Sequence, residues 1–407
     1  LRRWFQSIDD ATAAQGADAQ ESNFLAKRPR TIAVDIPSGV HADTGAVLGT
    51  EGQNGLRAAR YMLTVTFHAP KLGHYLDQGP MMCGSLAVAD IGLNHENMDP
   101  AGNDVSLGST QVHLIERHAS SNDAHPNWPH SLISKNQFQG HKYAHGHVVV
   151  LSGGVGQGGA ARLAARTALR AGAGLVTVLC PPAALIENAC QLTAVMLRAL
   201  PEDAALADQA DARTSAFVLG PGLGVGATTR ARVVEALAQR GRGSQIPVLV
   251  LDADALTSFQ SDPDSLFAQC HEHVVLTPHD GEFARLFPDL AEERRAGRSK
   301  VDVARRAAKR SACIVLLKGP DTVIADPKGR ASVHAAAYGR EVPWLATAGA
   351  GDVLAGLIAG LAAPRACSDL FKMVEVAAYI HVEAARGYGA GLIAEDLPEQ
   401  LPHLLRR

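Results

Sequence analysis

From residue 147 onward, the hydrophobic residues come in short unbroken runs that alternate with helical patterns. A helix is predicted over Ala160–Arg170, where it ends at a glycine-rich stretch. Apolar runs without polar alternation, each separated from the next by a helix, indicate parallel strands covered on both faces. The runs are Val148–Leu151, Leu175–Leu179, Ala216–Leu219, Val248–Leu251, Val274–Leu276 and Ile314–Leu317, with an edge hairpin predicted at Thr322–Ala325 and Ala331–His334. The pattern predicts a doubly wound, mostly parallel α/β sheet.

Before residue 95, the pattern of hydrophobic and polar residues is weaker. Only three strands are predicted before residue 95, at Thr31–Ile36, Tyr61–Phe67 and Gly84–Asp90, with few helices between them. We therefore predict a partial domain over 1–95, a linker over 96–135 and a second domain over 136–407. Because the chain opens on Leu rather than Met, we also expect it to be a fragment.

The predicted linker is rich in Asn, Ser, His, Asp and Pro and has no clear periodicity. Its histidines lack the spacing of metal ligands, so we expect them to be solvated. They are His113, His118, His125 and His130.

Composition excludes several classes of function for the 407-residue chain. A formal net charge of -3 gives no electrostatic basis for binding nucleic acid or an anionic membrane. No apolar run is long enough for a membrane span. Six scattered cysteines without a CxxC pair indicate a reducing cytoplasm.

Polar residues follow the ends of five predicted strands. In an open α/β sheet the binding crevice lies outside the carboxyl ends of the strands, so these loops should meet there. The loops are Ser152–Gly159, Gly220–Gly224, Asp252–Asp254, Thr277–Glu282 and Lys318–Asp321.

A sixth loop, Ala346–Asp352, leads straight into an apolar helix. Glycines allow a sharp turn, and the unpaired N–H groups of the helix N-terminus form an anion site. Asp352 lies in that turn and is a candidate for taking a proton from an attacking hydroxyl. A lone motif of this kind is equally typical of a glycine loop with a capping Asp.

The first loop also contains a GxGxxG match at Gly154–Gly159, the pattern of a dinucleotide-binding turn. That pattern requires an acidic residue at the end of the next strand, but Val178-Leu179-Cys180-Pro181 has none. A nicotinamide dehydrogenase is therefore disfavoured. No Lys-Ser or Lys-Thr closes the loop as in a Walker motif.

Phosphoryl chemistry fits the polar residues better. Lys318 can pair with phosphate oxygens, and Gly319 and Thr322 allow close backbone approach and a hydroxyl contact. Asp252, Asp254 and Glu282 are candidate Mg²⁺ ligands, although for any one of them a helix-capping role is the more common explanation. His279 could orient a substrate group or be structural.

Together these motifs resemble the ADP/ATP-dependent NAD(P)H-hydrate dehydratases, a ribokinase-like family. The resemblance covers residues from about 136 to 407, and only Asp280, where the family usually has Pro, departs from it. The segments that carry it are Gly159–Ala164, Ala168–Val176, Gly220–Gly224, Asp252–Leu256, Leu276–Leu286, Leu317–Thr322 and Ala348–Gly356.

The resemblance implies nucleotide-dependent dehydration of hydrated NADH and NADPH, with phosphate and AMP released from ADP, and Mg²⁺ as cofactor. It implies that Asp352 is the catalytic base and touches the hydrate. The same resemblance places Ala160, Gly222, Gly224 and His279 around the hydrate, and Lys318, Gly319, Pro320, Asp321, Thr322 and Gly351 around the nucleotide. Family members often assemble as tetramers, so a homo-oligomer is expected.

The N-terminal part resembles the end of an NAD(P)H-hydrate epimerase domain, a Rossmann-like unit. The matching segments are Ala33–Gly39, Ala42–Gly45, Thr66–Gly73 and Asp90–Gly92. By resemblance, Asp35 contacts the hydrate and Ser38 helps to bind K⁺. The upstream Asn-Asn-Gly-Gly-Asp-Gly segment of that family and the first half of its sheet have no counterpart. We therefore expect only a remnant, which weakens the case for epimerase activity.

Two alternatives stay open. A ribokinase-like kinase acting on another small molecule would leave a stable phosphorylated product. A non-catalytic nucleotide-binding scaffold would bind nucleotide without turnover.

Overall fold

The computed structural model describes residues 31–48, 60–92, 112–115, 141–209, 213–239, 246–364 and 369–405. Its strands are β1 Ile32–Val34, β2 Leu63–Phe67, β3 Ser85–Ala89, β4 Val112–Leu114, β5 His147–Leu151, β6 Leu175–Cys180, β7 Met196–Ala199, β8 Thr214–Leu219, β9 Val248–Leu251, β10 Val274–Leu276, β11 Ile314–Leu317, β12 Asp321–Ala325 and β13 Ala331–Ala335. Its α-helices are α1 Gly79–Cys83, α2 Gly159–Ala171, α3 Leu185–Ala189, α4 Leu206–Gln209, α5 Ala227–Leu237, α6 Asp254–Thr257, α7 Pro263–Phe267, α8 Asp280–Leu286, α9 Pro288–Arg295, α10 Lys300–Ser311, α11 Ala350–Ala362, α12 Leu370–Tyr388 and α13 Asp396–Leu404. None of the helices in these ranges is long and apolar enough to cross a membrane.

Ten strands form the main sheet, in the order β4-β13-β12-β11-β10-β9-β8-β5-β6-β7. Every neighbouring pair is parallel except the two that involve β12, which is antiparallel to β11 and to β13. This confirms the doubly wound, mostly parallel sheet and each of its predicted strands and hairpin. The strand β7, at one edge, was not predicted from the sequence.

Helices cover both faces of this sheet, so that two separate hydrophobic cores form. One core includes Phe217, Phe259, Phe283 and Phe287, and all four rings are fully buried. The other lies under α2, α11 and α12 and consists mainly of Ala, Val and Leu. Burial on both faces explains why the strands read as unbroken apolar runs.

The helices α2 and α11 pack with their backbones almost in contact. A Cβ atom placed on Gly356 would lie 2.2 Å from the carbonyl oxygen of Ala164, and one on Gly360 would lie 2.6 Å from that of Ala168. Such distances are far below any allowed contact, so only glycine fits. This packing fixes where the N-terminus of α11 lies.

The strand β4 corrects the linker prediction. Val112 and Leu114 are buried, and β4 pairs in parallel with β13, so the hairpin does not form the edge of the sheet. His113 is not solvated as expected, because its Nδ1 lies 3.0 Å from Oε1 of the buried Glu375. The other three linker histidines lie outside the described residues.

The three predicted N-terminal strands are present and form a separate parallel sheet in the order β1-β2-β3. Several contacts join this unit to the loops of the main sheet, among them a hydrogen bond from the Ser299 hydroxyl to the Asp43 carbonyl at 3.2 Å. The backbone N–H of Asp77 donates to Oδ2 of Asp321 at 3.0 Å, and the Tyr338 hydroxyl donates to the His74 carbonyl at 2.5 Å. The N-terminal unit therefore packs against the main unit beside Asp321, which belongs to the nucleotide loop predicted from the sequence.

Candidate active site

Two glycine-rich loops meet at the carboxyl ends of β5 and β8. A Cβ atom on Gly153 would lie 1.8 Å from the carbonyl oxygen of Gly222, so the two backbones touch. Gly222 has a φ of +70°, and a Cβ there would lie 3.7 Å from that of Ala160 at the start of α2. Gly224 donates its N–H to Oδ2 of Asp254 at 2.8 Å. The structure thus brings together Ala160, Gly222 and Gly224, three of the predicted hydrate-binding residues.

Next to these loops lies the N-terminus of α11. Its N-cap is Gly349, with a φ of +91°, and a Cβ on this residue would lie 2.8 Å from side-chain atoms of Leu163 and Ala394. A side chain is therefore excluded on both conformational and steric grounds. The first N–H groups of α11 are left without helical partners and, with the helix dipole, favour an anion.

Asp352 lies in the first turn of α11. Burial, together with the negative charges of Asp252 and Asp254 and against the opposing charge of Lys318, raises its pKa from 3.8 to about 7. A carboxyl group with a pKa near neutrality can accept a proton and later release it. This is the property that the proposed base requires.

Lys318, whose side chain is 19% exposed, forms an ion pair with the buried Asp252 beneath α11. The Lys318 ammonium lies 2.6 Å from Oδ1 of Asp252 and 3.8 Å from Oε2 of Glu282. Burial lowers the pKa of Lys318, but the charges of Asp252, Glu282 and Asp352 outweigh it, so the pKa is raised. A Cβ on Gly351 would lie 3.5 Å from both Nζ of Lys318 and Oδ2 of Asp252. Lys318 is therefore within reach of the N-terminus of α11, as the phosphate hypothesis requires, although a carboxylate holds it here.

His279 and Glu282 cap α8 reciprocally. Nδ1 of His279 accepts from the N–H groups of Gly281 at 2.9 Å and Glu282 at 3.3 Å, and Oε2 of Glu282 accepts from the N–H of His279 at 2.8 Å. The histidine side chain is 55% exposed, and its Nε2 lies 3.5 Å from Oε1 of Glu282. His279 therefore has a structural role and can also contact a ligand.

The predicted nucleotide loop, Lys318–Thr322, is internally braced. Thr322 donates its hydroxyl to the carbonyl of Gly319 at 2.8 Å, and Gly319 has a φ of +157°. The Asp321 carboxylate does not face the crevice freely, because it accepts from Nζ of Lys300 at 2.6 Å and from the N–H of Asp77.

A metal ion at this site would need further coordinating atoms from a bound nucleotide. Within the described ranges, no group of three or more His, Cys, Asp or Glu residues could hold a metal ion. Mg²⁺ needs only one or two carboxylates when nucleotide phosphates supply other ligands. Glu282 and Asp252 fit that requirement, since both lie beside Lys318.

The N-terminal unit places Asp35 in a second polar cluster. Its φ is +69°, and its Oδ1 pairs with Lys71 and accepts from the Thr66 hydroxyl at 2.9 Å. Burial raises the pKa of Asp35, but the hydrogen bonds from Lys71 and Thr66 lower it, and the lowering dominates. Asp35 is therefore held as a carboxylate. Ser38, three residues after Asp35, is exposed.

Sequence reasoning missed two buried groups behind the site. Lys300 is 4% exposed and belongs to a helix that carried no motif. His381, on the apolar helix α12, hydrogen-bonds the backbone of Ala350, and burial lowers its pKa to about 4. A lone histidine in a run of apolar residues was the available signal for His381.

Comparisons with known proteins agree with this geometry. The family model described as NAD(P)H-hydrate dehydratase matches residues 148–405, and that of the YjeF-related protein N-terminus matches residues 7–73. The bifunctional NAD(P)H-hydrate repair enzyme Nnr of Moorella thermoacetica is 36% identical over 409 residues, covering 97% of this chain and 70% of the relative.

Solved structures show the same fold. The ADP/ATP-dependent NAD(P)H-hydrate dehydratase of Bacillus subtilis, co-crystallised with ATP and Mg²⁺, matches with a TM-score of 0.54 and 25% identity, covering 68% of this chain and 95% of that one. A ribokinase-like superfamily protein of Enterococcus faecalis matches with a TM-score of 0.57 and 23% identity, covering 68% and 94%.

These matches confirm the ribokinase-like fold and correct one expectation. The prediction of a mere epimerase remnant is wrong, because a YjeF-related N-terminal domain is matched from residue 7 and the relative is bifunctional. The motif-based prediction used only segments from residue 33 onward, whereas the family model begins its match at residue 7. The chain belongs to the NAD(P)H-hydrate dehydratase family and carries a YjeF-related N-terminal domain.

Proposed function

We propose that this chain repairs hydrated NADH and NADPH by nucleotide-dependent dehydration, consuming ADP or ATP as the phosphoryl donor. The observation that carries the proposal is the position of Asp352. It lies in the first turn of an anion-binding helix, its pKa is raised to about 7, and it is next to the Lys318–Asp252 pair. Family membership supplies the class of substrate.

The chemistry proceeds in two stages. The ring hydroxyl of the hydrate attacks the terminal phosphorus of ADP, its proton passes to Asp352, and AMP leaves. The ring nitrogen lone pair then expels phosphate, and loss of a proton from the adjacent carbon restores the ring double bond. The N-terminus of α11 stabilises the charge on the phosphoryl group during transfer.

The remaining residues bind and orient. Ala160, Gly222, Gly224 and His279 line the hydrate site, and the small residues leave room for the ring. The nucleotide phosphates lie against Lys318–Thr322 and Gly351. Mg²⁺, when bound, neutralises phosphate charge, and Glu282 or Asp252 would hold it together with those phosphates.

The deciding experiment is incubation of the chain with hydrated NADH and ADP. We expect recovery of reduced-cofactor absorbance together with equimolar AMP and phosphate. Asp352→Asn should lower kcat by a factor of about 10² to 10⁴ without changing the melting temperature. Near-normal turnover in folded Asp352→Asn would show that Asp352 is not the base.

Product analysis separates the alternatives. A small-molecule kinase of this fold would accumulate a stable phosphorylated product and release no phosphate. A binding protein would take up ADP without any turnover of the hydrate. Glu282, Asp252 and Lys318 beside a proton-accepting Asp352 favour an enzyme over a binding protein, since a scaffold has no need of a raised carboxyl pKa.

We also propose that the N-terminal domain contributes to epimerisation of the hydrate, with Asp35 contacting the substrate. The bifunctional relative and the ordered Asp35–Lys71–Thr66 cluster support this. Faster interconversion of the two hydrate epimers by the wild type than by Asp35→Asn would support it, and equal rates would contradict it. A K⁺ ion at Ser38, a homotetramer and a cytoplasmic location stay predictions, the second testable by light scattering.

A further inference from the structure

Lys300 occupies an unusual position for a cation. It is the first residue of α10, where the helix dipole disfavours positive charge, and it is 4% exposed. A buried ammonium group is tolerated only when charged and polar partners compensate for its lost hydration. The groups that pair with Lys300 therefore indicate what its buried charge does.

Both partners belong to the nucleotide loop. Nζ of Lys300 lies 2.6 Å from Oδ1 of Asp321 and 3.3 Å from the carbonyl oxygen of Lys318. A Cβ atom on Gly319 would lie 2.7 Å from the same Nζ, so the ammonium group is pressed against the loop backbone. Lys300 thus fixes the loop at its first and fourth residues.

The pair has a second, electrostatic effect. An unpaired Asp321 carboxylate in this loop would repel nucleotide phosphates, and the Lys300 ammonium neutralises it. Oδ2 of Asp321 also accepts from the N–H of Asp77 in the N-terminal domain at 3.0 Å. Three contacts, two from Lys300 and one from the other domain, therefore set the shape and the charge of the loop.

We propose that Lys300 is a positioning residue that holds the Lys318–Thr322 loop in the conformation that binds the adenine nucleotide. It touches neither substrate and acts through the Lys318 carbonyl and the Asp321 carboxylate. The proposal rests on the proposed function only in taking an adenine nucleotide as the ligand of this loop.

The test is calorimetric titration of the full chain with ADP, in the absence of hydrate. Lys300→Met should raise the Kd for ADP at least tenfold. In turnover assays the KM for ADP should rise similarly, while the KM for hydrated NADH stays unchanged and kcat at saturating ADP falls less than threefold. A residue that merely stabilised the fold would not affect one substrate selectively.

Lys309→Met is the matched control, because it removes an exposed lysine from the last turn of the same helix. It should leave the Kd for ADP and the turnover unchanged. If Lys300→Met does not fold, Lys300→Gln keeps a donor for the Lys318 carbonyl and should still raise the Kd at least threefold.

A folded Lys300→Met or Lys300→Gln protein with a Kd for ADP within twofold of wild type would overturn the proposal, as would equal weakening of both substrates. A failure of the proposed function would give a different result. The wild type would then bind ADP but would not dehydrate the hydrate, and the titration would still report on the loop.

Discussion

Replacing Asp252 by Asn should shift the pH dependence of the reaction to lower pH. The pKa of Asp352 is raised from 3.8 to about 7, chiefly by burial and next by the charge of Asp252. The rise corresponds to about 4 kcal/mol of free energy favouring the protonated carboxyl group. Because a base must be ionised, kcat/KM should increase with pH through an apparent pKa near 7.

Asp252→Asn should lower the pKa of Asp352 in two ways. It removes a negative charge that raises the Asp352 pKa, and it frees the Lys318 ammonium, now 2.6 Å from Asp252, to pair with Asp352 instead. A nearby unit charge typically shifts a pKa by 1 to 3 units, so we expect the acidic limb to move down by about one unit.

The assay is kcat/KM for hydrated NADH between pH 5 and 9 at saturating ADP. Titration of the ADP phosphates affects wild type and variant equally and cancels in the comparison. Asp289→Asn removes an exposed carboxylate that pairs with Arg310 far from the crevice, and it should not move the limb. An unchanged or raised apparent pKa in folded Asp252→Asn would refute the assignment of Asp352 as the titrating base.

Three further predictions concern the framework of the site. Gly356→Ala should lower the free energy of unfolding, measured by urea titration, by about 1–3 kcal/mol, since its Cβ would overlap Ala164. Gly154→Ala is the control and should leave this free energy unchanged, because the space around Gly154 is open. His113→Ala should cost about 1–3 kcal/mol, because it leaves the buried Glu375 carboxylate short of a partner; an unchanged urea midpoint would contradict this. Deleting residues 1–115 removes β4 and should lower the melting temperature of the remaining chain more than deleting residues 1–111, and equal melting temperatures would argue against a structural role for β4.

The sequence predicted most of the sheet and the meeting of loops because these depend on local patterns. Apolar runs such as Val148–Leu151 mark buried strands, and polar groups after parallel strands must lie at one edge of the sheet. The closeness of Lys318 to the N-terminus of α11 followed from this reasoning, and in the structure a Cβ atom on Gly351 would lie 3.5 Å from Nζ of Lys318.

The remaining features depend on partners distant in sequence. The strand β4 has three residues and gains its place only by pairing with β13, more than 200 residues later. Lys318 was expected to face phosphate, but whether it pairs with an anion or with Asp252 depends on distances that spacing does not fix. Lys300 carried no motif, and only the fold shows that its ammonium group lies against the loop after β11.

The contact between α2 and α11 determines which parts of the site can move. Because Gly356 and Gly360 lie against the backbone of α2, α11 has little space to tilt or slide, and we expect its N-terminus to stay fixed. Gly154, Gly156, Gly224 and Gly226 have nothing within 4 Å of where a Cβ atom would be. We therefore expect any closure over bound substrates to come from these loops, with loss of the Gly224–Asp254 hydrogen bond, and not from a movement of α11.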